Sequence, residues 1–256
     1  MSWIEAVILG IVQGLTEFLP VSSSGHLVLA QHLLGVNETG VLLEVILHMG
    51  TLAAILIYFY DDIKQLFLDV GRGSKDARIY IMHLVLATIP AAAAGYLFGD
   101  RIETAFTPSV VIWMLLITGI IVGSTRFFQN RSKKEMVLLT VLFIGFSQVF
   151  ALLPGISRSG LTISTAMILG IQHDKAAKFA IFMAIPVLLG AGLLQVVRIE
   201  TMSSIALFPL ILGFFTSAIT GYLVISWLLA VISQGKFYLF SLYCFMIALL
   251  AFTVIN

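Results

Sequence analysis

Long apolar runs alternate with short polar segments along most of the chain. A membrane-spanning helix needs about 20 consecutive, mostly apolar residues. Six runs are close to this length or exceed it, at 41–60, 79–98, 108–128, 179–197, 205–232 and 237–255. The alternation of period two that marks β-barrel strands is absent from these runs. The pattern therefore predicts an all-α integral membrane protein with six spanning helices.

Two further apolar stretches, 4–35 and 136–170, are each interrupted by polar residues. The first is broken at Pro20 and the serines that follow it, and the second is broken at Pro154 and Gly155. Irregular backbone at membrane depth persists only where protein or water satisfies it. We therefore expect two re-entrant helix-loop-helix hairpins, each entering and leaving on one side. The alternative is that each interrupted stretch forms two full spans. This alternative leaves every other loop on the same side of the membrane as the re-entrant model does.

Basic residues are concentrated in alternate loops. One set comprises Lys64, Arg72, Lys75, Arg78, Arg126, Arg131, Lys133, Lys134, Lys175, Lys178 and Lys236, whereas the remaining loops hold Arg101 and Arg198. The positive-inside rule places the first set in the cytoplasm and the N-terminus outside. The chain is then one membrane domain, 1–256, made of two halves at about 1–128 and 136–256. Each half has one hairpin and three spans in opposite orientation, which predicts an inverted-topology repeat.

The composition agrees with this class and excludes others. Hydrophobic residues make up 60% of the chain and charged residues 11%, and the mean hydropathy is +1.08. A soluble domain is about one-quarter charged, so we expect a multi-pass protein of the cell membrane. The net charge of +1 argues against nucleic acid as a partner. The single cysteine, Cys244, excludes an intrachain disulfide and a cysteine-based metal cluster.

The interruptions carry the same short motif twice. Residues 19–35 read LPVSSSGHLVLAQHLLG, and residues 153–170 read LPGISRSGLTISTAMILG. Helices are expected to open near Gly25 and Gly160 and to end at Gly35 and Gly170. Helix N-termini attract anions through unpaired N–H groups and the helix dipole. Two facing N-termini would form a cup for phosphate, whereas the alternative is that the serines only cap the helices. The serines are Ser22, Ser23, Ser24, Ser157 and Ser159.

Ionisable residues in and beside these motifs are candidates for chemistry. Placing Arg158 at membrane depth costs free energy, and its planar guanidinium suits bidentate phosphate binding. The alternative role for Arg158 is an ion pair with Glu17. Gln13 lies one turn before Glu17 on the same helix face, so the pair could hold a divalent cation or orient a hydroxyl; the alternative is a hydrogen-bonded helix pair. His26 can act as base, acid or nucleophile or can be a satisfied buried histidine.

A second pair of polar residues lies at the start of the span at 41–60. Glu44 and His48 are one turn apart there and are expected to line a cavity.

The segments QGLTEFLPVSSSGH, at 13–26, and PGISRSGLT, at 154–162, resemble the two signature motifs of the undecaprenyl-diphosphate phosphatase family, also called the bacitracin-resistance family. The resemblance extends over the whole chain in length, span count and order. It implies a membrane hydrolase that removes the terminal phosphate of undecaprenyl diphosphate, recycles the lipid carrier for peptidoglycan and other cell-wall polymers, and confers bacitracin resistance. It also implies dependence on a divalent cation (Mg²⁺ or Ca²⁺), no organic cofactor, a homodimer and an active site open to the extracytoplasmic side.

The family's functional residues can be carried over where the motifs match. Its Glu/Gln-x-x-x-Glu pair falls on Gln13 and Glu17, and the glutamine leaves one carboxylate for chelation where some members have two. The resemblance implies that Ser23, His26, Arg158 and Glu17 are catalytic. It implies that the substrate is bound by the other motif residues, which are Gln13, Ser22, Ser24, Gly25, Gly155, Ser157, Ser159, Gly160 and Thr162.

These residues predict a mechanism with one choice left open. Ser23 attacks the phosphorus with His26 as base, Arg158 neutralises the phosphoryl charge, and Glu17 orients His26 or holds the cation. In the alternative, His26 is the nucleophile. A different function also remains open, because inverted repeats with broken helices are the architecture of secondary transporters. The same cup could carry a lipid phosphate across the membrane.

Overall fold

The computed structural model describes residues 1–36, 40–128, 135–198 and 207–255. The secondary-structure elements of these residues are all helical. The helices are α1 (Trp3–Thr16), α2 (Ser23–Leu34), α3 (Gly40–Tyr58), α4 (Tyr60–Gly71), α5 (Lys75–Glu103), α6 (Pro108–Ser124), α7 (Leu138–Phe150), α8 (Arg158–Ile168), α9 (His173–Arg198), α10 (Leu207–Ser233) and α11 (Phe240–Ile255), with 3₁₀ turns at Thr125–Phe128 and Phe237–Leu239. The predicted cytoplasmic residues Arg131, Lys133 and Lys134 lie outside the described residues, as does the start of the predicted span at 205.

The membrane class and the predicted spans are confirmed. In the described part of the chain, five helical segments are long and apolar enough to cross a membrane: α5, α6 with the 3₁₀ turn that follows it, α9, α10, and α11 with the 3₁₀ turn that precedes it. The pair α3 and α4 supplies a sixth span, although the two helices meet at a bend of 71°. The chain is therefore an all-α, multi-pass membrane protein.

The segment after residue 60 is a helix where the sequence predicted a loop. Helix α4 runs along Tyr60–Gly71, and none of its residues is buried. Its sequence, YDDIKQLFLDVG, mixes charges with apolar residues at helical spacing. Those charges end the apolar run at residue 60, so hydropathy alone predicts no helix beyond that residue. An amphipathic surface helix continues the chain at that point.

Both interrupted stretches form pairs of short helices. Helices α1, α2, α7 and α8 have 14, 12, 13 and 11 residues. At about 1.5 Å per residue each is shorter than the roughly 30 Å core of a bilayer. Gly35 ends α2 with a φ of +67°, and Gly170 follows α8 with a φ of +94°, at the predicted ends. The return of each hairpin to its own side of the membrane stays a prediction.

The helices of the two predicted halves pack against each other in a reciprocal way. Helix α1 packs on α10, and α7 packs on α5. Gly14 and Gly145, which occupy equivalent places in the segments GLTE and GFSQ, lie at these two crossings. A Cβ at Gly14 would lie 2.6 Å from the Ser217 carbonyl oxygen, and one at Gly145 would lie 2.7 Å from that of Ala87. Close helix approach therefore requires glycine at both positions. The inverted orientation of the halves stays a prediction.

Two long helices contain an internal proline, Pro90 in α5 and Pro186 in α9. Proline removes a backbone hydrogen bond inside a helix. Near Pro90, the buried Gln148 of α7 donates from Nε2 to the Ala87 carbonyl oxygen at 3.0 Å. The next residues, Ala91 and Val187, line the cavity described below. The two proline-containing helices, α5 and α9, therefore border the site.

Candidate active site

The loops of the two broken stretches meet inside the protein. The Gly155 N–H donates to Ser22 Oγ at 3.1 Å, and Ser159 Oγ donates to the Leu19 carbonyl oxygen at 2.9 Å. These partners are 133 and 140 residues apart in the chain. The two copies of the motif therefore form one site, as the sequence predicted.

Ser22 is the residue that joins the loops. It has a φ of +69°, the only positive φ of a residue other than glycine in the described part of the chain. Its Oγ accepts from the Gly25 N–H at 3.2 Å as well as from Gly155. Its carbonyl oxygen accepts from the His26 N–H at 3.1 Å. Such a backbone conformation costs about 1–3 kcal/mol, which these bonds offset.

The second loop is fixed from a neighbouring helix. Ser157 Oγ caps α8 by accepting from the Gly160 N–H at 3.0 Å. Thr118 of α6 accepts from the Ser157 N–H at 3.1 Å and donates to the Gly155 carbonyl oxygen at 2.8 Å. The capping role is therefore correct for the hydroxyls of Ser22 and Ser157. Sequence reasoning missed Thr118, which lies in an apolar span with no motif around it.

We expect Gly155→Ala to destabilise the protein by about 2–5 kcal/mol. Gly155 has a φ of +97°, and a Cβ there would lie 2.7 Å from both Met114 Cβ and the Val111 carbonyl oxygen. Thermal unfolding in detergent measures the effect. Gly190→Ala is the matched control, since a Cβ at Gly190 meets nothing within 4 Å. Equal melting temperatures for Gly155→Ala and the wild type would contradict this packing.

Glu17 is the centre of the polar cluster, and only 5% of it is exposed. Arg158 Nη2 donates to Glu17 Oε1 at 2.6 Å. Ser23 Oγ donates to Oε2 at 2.6 Å, and Gln13 Nε2 donates to the same oxygen at 3.0 Å. His48 Nε2 lies 3.6 Å from Oε2. The predicted ion pair of Glu17 and Arg158 is present, and the Ser23 hydroxyl shares the same carboxylate.

This cluster forms one wall of a cavity of about 260 Å³. The first turns of α2 and α8 border the cavity, and α3, α5, α7 and α9 complete it. Its polar lining residues are Glu17, Ser22, Ser23, Ser24, Glu44, His48, Gln148, Ser157 and Arg158. The sequence correctly placed Glu44 and His48 on a cavity, although it assigned neither of them a role.

Some predicted substrate-binding residues hold the loops together and are not among the lining residues of the cavity. Ser159 is bonded to Leu19, as described above, and Thr162 Oγ1 donates to the Arg158 carbonyl oxygen at 2.8 Å. A Cβ at Gly25 would lie 2.9 Å from Gly155 Cα, and one at Gly160 would lie 3.2 Å from Pro20 Cβ. These residues support the two helix N-termini, and a direct contact with substrate stays a prediction for them.

His26 is not brought to Ser23. Its Nδ1 lies 2.8 Å from the Ser22 carbonyl oxygen, and its Nε2 lies 3.0 Å from the Tyr243 hydroxyl. The ring stacks on Tyr243 of α11 and faces apolar grooves on the other side of α2. Both ring nitrogens thus have partners other than Ser23, and His26 is not among the residues that line the cavity. The geometry gives His26 a positioning role through Ser22, and its predicted action as base or nucleophile gains no support.

The two roles of His26 can be separated with amide side chains. Asparagine can place an N–H near the position of Nδ1 and keep the bond to Ser22, whereas glutamine reaches nearer to Nε2. If the protein has the phosphatase activity that its motifs predict, we expect His26→Asn to keep turnover within about tenfold. His26→Gln should lose more, because the Ser22 carbonyl oxygen would lose a hydrogen-bond donor. Both variants would lose activity equally if His26 transferred protons. Steady-state phosphate release measures the difference.

The residues at Glu17 do not fit a chelated divalent cation. Both of its oxygens accept hydrogen bonds, and Gln13 turns its amide N–H₂ toward it. No group of three or more His, Cys, Asp or Glu side chains that could hold a metal occurs among the described residues. Mg²⁺ and Ca²⁺ require several oxygen ligands. We derive no step through a cation, and the predicted dependence on Mg²⁺ or Ca²⁺ stays a prediction.

The fold and the site define a multi-pass membrane protein in which a buried carboxylate holds a partly buried serine and arginine beside one cavity. The family model described as Bacitracin resistance protein BacA matches residues 6–250. The chain belongs to this family, as the motifs predicted.

Several relatives match over nearly their whole length. A protein of Desulforudis audaxviator named Undecaprenyl-diphosphatase is 39% identical over 251 residues, which are 95% of this chain and 94% of that one. Undecaprenyl-diphosphatase 1 of Bacillus licheniformis is 39% identical and covers 96% of each chain. An Undecaprenyl-diphosphatase of Methanobrevibacter smithii is 36% identical over 98% of this chain and 97% of its own.

Proposed function

We propose that the protein is an undecaprenyl-diphosphatase, a membrane hydrolase that removes the terminal phosphate of undecaprenyl diphosphate. The observation that carries the proposal is the meeting of Ser23 and Arg158 on one buried carboxylate, along one wall of a cavity bordered by two helix N-termini. The names of the relatives agree with it. The cavity suits the diphosphate group, and the apolar tail would remain in the lipid.

The first step transfers the terminal phosphoryl group to Ser23. Ser23 Oγ already donates its proton toward Glu17 Oε2, so the carboxylate is in place to accept it. The oxygen attacks phosphorus, a P–O bond forms, and the bond to the bridging oxygen breaks. Undecaprenyl phosphate leaves with that oxygen.

Arg158 supplies the charge compensation that phosphoryl transfer requires. Its guanidinium is bound to Glu17 in the structure, and an incoming diphosphate offers it more negative charge. The N–H groups at the starts of α2 and α8 add a second favourable field. Water then attacks the phosphoserine: its oxygen bonds to phosphorus, the bond from phosphorus to Ser23 Oγ breaks, and the proton of the water goes to Oγ as inorganic phosphate is released.

The cellular role follows from the product. Undecaprenyl phosphate is the lipid carrier for peptidoglycan and other cell-wall polymers, so the reaction would recycle it. Bacitracin sequesters the diphosphate, so an enzyme that consumes the diphosphate would confer resistance. We further propose that the protein works as a homodimer and that its cavity opens on the extracytoplasmic side.

Phosphate release in detergent tests the activity. Purified protein is given farnesyl or undecaprenyl diphosphate, with and without Mg²⁺ or Ca²⁺, and inorganic phosphate is measured. A detergent micelle has no second side, so transport alone cannot release phosphate. Release supports the phosphatase. No release by folded protein under any of these conditions would overturn it and favour a lipid-phosphate carrier that uses the same cavity.

Cysteine labelling tests which loops of the protein face the outside of the cell. In a Cys244→Ser background, a membrane-impermeant thiol reagent applied from outside should label cysteines placed at Ser2 and Glu103. Cysteines at Lys75 and Gly235 should be protected, because the positive-inside rule places those loops in the cytoplasm. Labelling at Lys75 from outside would contradict both the orientation and the proposed inverted repeat.

A further inference from the structure

His48 is the histidine that faces the reacting groups. It lies on α3, one turn after Glu44, and lines the same cavity as Ser23 and Arg158. Its Nδ1 lies 2.7 Å from the Glu44 carbonyl oxygen, and its Nε2 lies 3.6 Å from Glu17 Oε2. About 26% of its side chain is exposed.

The bond to Glu44 determines the tautomer. A carbonyl oxygen can only accept, so Nδ1 carries the proton. In the neutral ring Nε2 then has a lone pair that faces Glu17. A lone pair and a carboxylate oxygen at this distance repel each other unless a proton lies between them. The geometry therefore prepares His48 to receive a proton by way of Glu17.

The same carboxylate oxygen also accepts the Ser23 hydroxyl at 2.6 Å. Ser23 donates to Glu17 Oε2, and His48 Nε2 lies 3.6 Å from the same oxygen, so a proton taken up by this oxygen is placed next to the imidazole. An imidazole is a stronger base than a carboxylate. The other oxygen of Glu17 is bound to Arg158, so a proton that stayed on Glu17 would weaken this ion pair, whereas a proton passed to His48 would leave it intact.

We infer that His48 is the terminal proton acceptor of the serine, in a relay ordered Ser23, Glu17, His48. The inference rests on the proposed phosphatase function. As Ser23 Oγ forms its bond to phosphorus, its proton passes to Glu17 Oε2, and Glu17 delivers a proton to His48 Nε2. The products of this step are phosphoserine, undecaprenyl phosphate and imidazolium. Water then cleaves the phosphoserine and its proton goes to the Ser23 oxygen, and the imidazolium releases the proton it holds to the phosphate product or to solvent in the cavity.

The surroundings of His48 leave it free for this role. Glu17 from α1 and Arg158 from α8 face it, and Glu44 lies on its own helix. Helix α9 presents apolar residues at this level of the cavity, including Val187, Leu188 and Ala191. Helix α10 packs against α3 and contains no charged residue along Leu207–Ser233. The charge of the imidazolium is thus compensated by carboxylates within the cavity.

His48→Gln tests the inference, because glutamine can keep a donor for the Glu44 carbonyl but cannot accept a proton. Substrate radiolabelled on the terminal phosphate is mixed with excess enzyme, and phosphoserine is followed in a single turnover. We expect phosphoserine formation to slow about 100-fold or more, with the KM changed less than about threefold. A comparable effect of His48→Ala is expected, and this variant is used if the glutamine variant does not fold.

The matched control is His173→Gln, a histidine paired with Asp174 outside this cavity. Its turnover should equal that of the wild type. Phosphoserine formation within threefold of wild type in folded His48→Gln or His48→Ala would overturn the inference. Rapid phosphoserine formation followed by its accumulation would also overturn it, since His48 would then serve only the water step. Failure of the wild type itself to release phosphate would instead contradict the proposed function.

Discussion

Replacement of Ser23 by alanine is expected to abolish the phosphoenzyme and to lower turnover roughly 1,000-fold or more. The Ser23 hydroxyl is the one that donates to Glu17, at 2.6 Å, so it is the nucleophile closest to a base. Acid quenching followed by phosphoamino-acid analysis measures the intermediate, because phosphoserine survives acid and phosphohistidine does not.

Ser24→Ala provides the comparison for Ser23. Ser24 lines the same cavity, but its hydroxyl lies 3.3 Å from Ser22 Oγ rather than on a carboxylate. We expect this variant to stay within about tenfold of wild type, since it loses one hydrogen bond. An acid-labile phosphoenzyme in the wild type would transfer the nucleophilic role to a histidine. Full activity of Ser23→Ala would refute the serine mechanism.

Arg158→Lys should lower turnover about 100-fold or more, although it preserves the charge. The guanidinium is held by Glu17 in a fixed orientation with further N–H donors available for phosphate. Lysine offers only a point charge and lacks the paired N–H donors of the planar guanidinium. Arg158→Ala should therefore be only modestly worse than Arg158→Lys. Turnover and KM for farnesyl diphosphate are the quantities to measure.

Arg126→Lys is the matched control for Arg158. Arg126 stacks over Tyr238 with its guanidinium carbon 5.4 Å from the ring centroid, away from the cavity, and lysine can make a similar contact. This variant should retain wild-type turnover. A near wild-type rate for Arg158→Lys would reduce Arg158 to the partner of Glu17 in an ion pair.

The sequence predicts the two pairs of short helices and the meeting of Glu17 with Arg158, because both follow from local patterns. Proline and serine clusters interrupt apolar runs, and capping serines precede glycines, so α2 and α8 follow from short segments. The charges of Glu17 and Arg158 require partners in an apolar setting, which makes their meeting foreseeable. Hydropathy alone does not predict α4, because its charged residues end the apolar run. An amphipathic helix accommodates such charges on its exposed face.

The roles of the two histidines could not be read from the sequence. His26 follows Ser23 by three positions and belongs to the motif, which favoured it as base. Its orientation depends on Tyr243, which is 217 residues away. His48 stands in no motif, and its contact with Glu17 depends on how α3 packs beside the first hairpin. Spacing along one helix indicates a shared face, but it does not reveal which neighbour covers that face.

The ion pair between Glu17 and Arg158 also gives the cavity a means of rejecting common membrane anions. In the absence of substrate, the protein's own carboxylate occupies the arginine as an internal competitor. A fatty acid brings only another single carboxylate, so it gains nothing by displacing Glu17. A terminal phosphate brings more charge and more acceptor oxygens to the same guanidinium. In the proposed phosphatase, this exchange of partners on Arg158 would favour phosphorylated lipids over the free carboxylates that are also present in a membrane.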